Sequence, residues 1–130
     1  MRIPLLFATI GAAAAVLAVP AALAQAQTPT VEVSLANFRF TPTTLNLTAG
    51  KAVHLHFVNA GKGGHSFSAP EFFRAAVFSA GAEAVKGGRI ELDGGASADV
   101  TLTPASGHYT VKCAHFLHAG MGMTGEIIVS

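Results

Sequence analysis

Tyr109-Thr-Val-Lys-Cys113-Ala-His115-Phe-Leu-His118-Ala-Gly-Met121-Gly-Met123-Thr-Gly125 is the stretch whose reading decides this chain. Its opening alternates: Tyr109, Val111 and Cys113 fall on one face, and His108, Thr110 and Lys112 on the other. A period of two marks a half-buried strand, and it points the Cys113 sulfur toward a core. Alternation returns with Ile127 and Val129. Between Cys113 and Gly125, eleven residues carry two histidines and two methionines. A loop of that length can fold its side chains back on one point.

Outward from this stretch the same period recurs. Val31, Val33 and Leu35 alternate with Glu32 and Ser34, and Leu45 and Leu47 with Thr44, Asn46 and Thr48. Val53, Leu55 and Phe57 alternate with His54, His56 and Val58. Ile90 and Leu92 alternate with Arg89 and Glu91, and Val100 and Leu102 with Asp99, Thr101 and Thr103. Ala49-Gly50 and Asp93-Gly94-Gly95 read as turns. Short alternating segments between such turns predict an all-β fold, an antiparallel sandwich or barrel. One segment breaks the pattern. Pro70 to Ser79 lacks alternation, with Pro70 suited to a first helical position and Glu71 to a first turn. A short helix on a long connection is expected there, with Phe73 and Val77 on one face and Gly81 as a candidate stop. Its phenylalanines are read as core cover.

The chain has 130 residues. Arg2 precedes an apolar, alanine-rich run from Ile3 to Leu23 that ends in Ala22-Leu23-Ala24. This reads as a secretory signal peptide over residues 1–24, with a second cleavage option after Ala26. Pro4, Gly11 and Pro20 interrupt the run, so no stable membrane insertion is expected after cleavage. Residues 25–30 form a polar linker, and 31–130 one domain with one core. Eight Lys and Arg face seven Asp and Glu, so loss of Arg2 leaves seven of each. A balanced charge argues against nucleic acid as a partner. The one cysteine cannot form a disulfide within the chain. In an oxidising compartment a lone thiol is a hazard unless it is buried or held by a metal.

Alone, Cys113 would read as a small buried hydrophobe. His118 and Met123 at loop-compatible spacing change that reading. A further histidine, His65, follows the glycine-rich bend Asn59-Ala-Gly61-Lys-Gly63-Gly64. That bend and the Cys113 loop can share one end of a sandwich, where a rigid sheet would hold the geometry. Two imidazoles, a thiolate and a weak thioether make the ligand set of a blue-copper electron-transfer centre. Met123 is the first choice for the thioether, because it precedes the last strand and points inward. Met121, between two glycines, is the exposed alternative. His115 is open: a group hydrogen-bonding around the thiolate, or a ligand in place of or beside His118. His54, His56 and His108 alternate outward and read as exposed polar faces, although His54 and His56 form an i, i+2 pair able to bind a surface metal weakly.

On Asn59-x-Gly61-x-x-x-His65-x-Phe67 and Tyr109-x-x-x-Cys113-x4-His118-x4-Met123-x-Gly125-x-Ile127-x-Val129, the chain resembles the cupredoxins of the plastocyanin and pseudoazurin group. The resemblance spans Val31 to Ser130. It implies a Greek-key β-sandwich with one copper ion at one end, held by His65, Cys113, His118 and Met123. Two features depart from the family pattern: Ala-His115-Phe-Leu between Cys113 and His118, and the apolar insertion from Pro70 to Gly88. The expected function is one-electron transfer by Cu(I)/Cu(II) cycling in the periplasm or outside the cell. A redox protein would dock transiently on the apolar surface around His118, and the carrier would be a monomer. Copper trafficking or tolerance is the rival, although only Met121 and Met123 follow the signal segment. No paired carboxylates or nucleophile–base arrangement suggests an enzyme.

Overall fold

The computed structural model describes residues 15, 17–115 and 118–130. Most of the expected signal segment, residues 1–14 and 16, lies outside the described residues, as do Phe116 and Leu117. Ala15 and residues 17–29 have no regular secondary structure and are exposed. Among the described residues, no helix is long and apolar enough to cross a membrane.

The strands are β1 (Thr30–Ala36), β2 (Arg39–Thr41), β3 (Thr44–Leu47), β4 (Val53–Asn59), β5 (His65–Ser68), β6 (Val77–Ala80), β7 (Arg89–Leu92), β8 (Ser97–Thr103), β9 (Gly107–Lys112) and β10 (Thr124–Val129). Among the described residues one α-helix, α1 (Pro70–Ala75), lies between β5 and β6. The strands form two five-stranded sheets, ordered β2-β1-β4-β8-β6 and β3-β10-β9-β5-β7. The expected all-β sandwich is present, and its sheets are mixed. Each contains one parallel pair, β1 with β4 and β3 with β10. The chain crosses from one sheet to the other between β2 and β3 and returns at β4, so β4 runs beside β1 in the same direction.

Alternation builds the core. On β4, Val53, Leu55 and Phe57 are buried, and His54, His56 and Val58 face outward half-buried. The inward residues of both sheets meet in one cluster that includes Leu35, Phe40, Phe57, Phe67, Leu102 and Ile127. Burying each such side chain stabilises the fold by about 1.5–3 kcal/mol. Phe72 and Phe73 of α1 are buried in the same cluster, as expected of core cover.

The helix is shorter than expected. Pro70 starts it and Glu71 lies in its first turn, but Ala76 turns extended, with φ −81° and ψ 153°. Val77 does not share a helical face with Phe73. It lies in β6, which pairs with the edge of β8 in register Val77↔Thr103, and is 71% exposed. Pairing with an open sheet edge overrides the local helix preference of the alanines.

Candidate metal centre

Two loops meet at one end of the sandwich. The first runs from Asn59, at the end of β4, to His65, at the start of β5. Asn59 is fully buried, and its side chain fixes the bend. Its Nδ2 donates to the carbonyls of Gly63 at 2.8 Å and Leu92 at 3.0 Å, and its Oδ1 accepts from the Gly61 N–H at 2.9 Å. The bend packs tightly on the next turn of the chain. A Cβ on Gly94 would lie 2.2 Å from the Lys62 carbonyl oxygen, so only glycine fits there.

The second loop leaves β9 at Cys113 and re-enters the sheet at β10. The Cys113 N–H donates to the Met123 carbonyl at 3.1 Å, and the Met123 N–H to the His118 carbonyl at 3.0 Å. These bonds pull the loop closed, so His118 turns back over Cys113. Its Nδ1 lies 3.4 Å from Cys113 Sγ.

Together the loops place one donor atom each from His65, Cys113 and His118 within 4.8 Å of one another. Cys113 and His65 are buried, and His118 is half-buried. His65 Nδ1 has no hydrogen-bond partner although it is buried. A buried, unpartnered nitrogen costs about 1–3 kcal/mol. Burial keeps the His65 imidazole below the usual histidine range, and His118 and His115 push it the same way, with Glu91 opposing. Neutral imidazole is the form that binds a metal. Two imidazoles and a thiol, one nitrogen orphaned, fit copper in chemistry and placement.

Around this cluster, Ser66 holds the sulfur. Its backbone N–H points at Cys113 Sγ at 3.4 Å, and its hydroxyl lies 3.8 Å from the same sulfur. Its Oγ also accepts the Ala114 N–H at 2.7 Å. Phe38 covers the outside. Its ring stands edge-on to His118, with centroids 4.9 Å apart, and to His65, at 6.3 Å.

The other sequence candidates separate clearly. Met123 is fully buried beside Cys113, and Met121 is 61% exposed. His115 is not in the three-donor cluster. Its ring stacks on His118 at 5.3 Å, and its Nε2 meets the Glu91 carboxylate. His54 and His56 face outward and share Asp99, and His108 pairs with Glu126 at 3.3 Å.

Sequence reasoning missed Phe38, Ser66 and Glu91. Asn37-Phe38 carried a turn signal only in its asparagine, and both residues adopt left-handed backbone, φ 52° and 56°. Nothing in the local pattern places that turn over a loop 80 positions away in sequence.

A family model described as a cupredoxin-like domain matches residues 7–129. No curated protein matches the chain. Among solved structures, auracyanin B aligns with a TM-score of 0.60 at 27% identity, covering 83% of this chain and 93% of that one. Dithionite-reduced auracyanin of the photosynthetic bacterium Roseiflexus castenholzii aligns at 0.58 and 18% identity, covering 81% and 98%. Auracyanin A of Chloroflexus aurantiacus, described as a "blue" copper protein, aligns at 0.56 and 22% identity, covering 78% and 99%. With the sandwich, the two loops and a matching family model over nearly all its length, the chain belongs to the cupredoxin-like domain family.

Proposed function

We propose that this protein is an exported type 1 copper protein that carries single electrons between redox partners. The observation that supports this most is the convergence of His65, Cys113 and His118, with His65 Nδ1 buried and unpartnered. The description of auracyanin A as a "blue" copper protein points the same way. In this reading His65, Cys113 and His118 would hold the copper, with the buried Met123 thioether as a weaker fourth ligand. Copper, when bound, supplies one-electron exchange between Cu(I) and Cu(II).

The chain's own residues keep that exchange easy. Asn59 fixes the loop before His65, and Ser66 directs an N–H at the sulfur. The Cys113–Met123 and Met123–His118 backbone bonds fix the second loop. Ligands held by a sheet on both sides stay in place when the charge changes, so little reorganisation opposes transfer. The three clustered donors and the Met123 thioether all come from the protein, so the reading is of a carrier and not an enzyme.

His118 is the proposed exit for the electron. Around it Gly120, Met121 and Gly122 are exposed, and Phe38 is 37% exposed. An uncharged patch of this kind suits brief contact with a redox protein. Balanced charge predicts weak steering. Export through the signal segment at residues 1–24, to the periplasm or beyond, completes the proposal.

A redox titration of the copper-loaded protein tests it. A carrier gives one reversible one-electron step and exchanges electrons rapidly with a small redox protein. Release of copper on a change of valence would instead favour copper trafficking.

A further inference from the structure

We infer that the outer face of the β1–β4–β8 sheet carries a second, separate metal site, for a divalent borderline cation such as Zn2+ or Cu2+, formed by His54, His56 and Asp99. His54 and His56 stand two apart on β4, so both rings leave the same face of the strand. Asp99 sits directly opposite His56 on the antiparallel neighbour β8. One oxygen, Asp99 Oδ1, lies 2.8 Å from His54 Nε2 and 2.7 Å from His56 Nδ1. Two ring nitrogens from β4 thus flank one carboxylate oxygen from β8.

The far side of the His54 ring is also held. Thr101 Oγ1 lies 3.3 Å from His54 Nδ1, which leaves Nε2 as the atom turned to the carboxylate. A hydrogen bond of this kind to the second ring nitrogen orients a metal-binding histidine. Glu32 adds a further carboxylate to the row, since it stands beside His56 in the β1–β4 register and is exposed. The side chains of His54, His56 and Asp99 are 35%, 33% and 51% exposed. They can therefore close on an ion by small side-chain rotations, with no change in the sheet.

Donor chemistry selects the ion. Two imidazoles and a carboxylate, with no sulfur, suit Zn2+, Ni2+ and Cu2+ and give Cu(I) no thiolate or thioether. Open positions remain for water. The site is distinct from the loop centre. It faces solvent on the side of β4 away from the core, and His54 is five residues, about 17 Å, from Asn59.

The test is calorimetric titration of Zn2+ into metal-free protein. The wild type binds one more equivalent than the double variant His54→Ala/His56→Ala. Asp99→Asn, which keeps the side-chain shape, weakens that equivalent about tenfold or more. Cys113→Ser leaves it intact, so loss of the loop centre and loss of this site are read separately. Equal Zn2+ stoichiometry in the wild type and the double variant overturns the proposal. So does an Asp99→Asn protein that binds Zn2+ as the wild type does.

Discussion

Ser66 on β5 meets Cys113, the first residue after β9, with the Ser66 N–H directed at the sulfur at 3.4 Å and the Ser66 hydroxyl 3.8 Å from it. The same hydroxyl oxygen accepts the Ala114 N–H at 2.7 Å. One small side chain thus ties the loop after Cys113 to β5 and donates toward the thiolate. Ser66→Ala keeps the backbone donor and removes the hydroxyl. It leaves the Ala114 N–H without its acceptor, so the fold loses about 1–2 kcal/mol. Less positive character around the sulfur favours the oxidised form, so the reduction potential falls. Urea denaturation and a redox titration read the two effects. A potential that rises or does not move contradicts this role for the hydroxyl.

Asn59→Ala removes three hydrogen bonds from a fully buried position. The Gly63 and Leu92 carbonyls and the Gly61 N–H lose their side-chain partner together. The expected cost is about 3 kcal/mol, at the upper end for a single substitution. Because the bend carries His65, copper loading also weakens. A variant within about 1 kcal/mol of wild type in urea shows that the bend is held by something else.

Phe38 reverses a usual order. Its backbone φ is 56°, where any Cβ is strained by about 1–2 kcal/mol and glycine is not. Both Phe38→Ala and Phe38→Gly lose the edge contacts to His118 and His65. Phe38→Gly therefore comes out more stable than Phe38→Ala by about 1 kcal/mol. In the metal-free protein both variants expose the site, and a thiol reagent reaches Cys113 faster than in wild type. An alanine variant more stable than the glycine variant refutes the strain argument.

The metal-free protein also responds to pH through His65. Its folded imidazole titrates below 6.5, chiefly because of burial. Between the lowered folded value and about 6.5, the unfolded chain binds the proton more readily than the folded one. Stability is therefore full above that window and falls as pH drops through it. Comparing wild type with His65→Gln by urea denaturation from pH 7.5 to 5 isolates this contribution. Identical pH slopes in the two proteins count against it.

The sequence carried the fold where one face was wet and the other dry. β1, β3, β4, β7, β8, β9 and β10 all alternate, and each was legible. β5 was harder, because His65, Ser66, Phe67 and Ser68 are all buried and leave no period to read. β2 is three residues long, too short for a pattern. β6 has no strand pattern of its own and follows a helix signal, since its place is set by the free edge of β8 and not by its own residues. At the site, the spacing of Cys113, His118 and Met123 made the loop visible, and the glycine bend marked His65. The supports were not visible. Glu91 reaches His115 only because β7 pairs with β5, with Ser66 opposite Glu91. Such contacts depend on register between distant strands, which local pattern does not encode.

The central claim is that His65, Cys113 and His118 form a copper–thiolate centre. Optical absorption and EPR of the Cu(II)-loaded protein, beside Cys113→Ser, His118→Ala and His115→Ala, test it most directly. The account predicts an intense visible charge-transfer band with narrow EPR hyperfine splitting in the wild type. Cys113→Ser abolishes the band, His118→Ala destroys the centre, and His115→Ala keeps it with a shifted potential. A wild type without that band, or a band that survives in Cys113→Ser, contradicts the account.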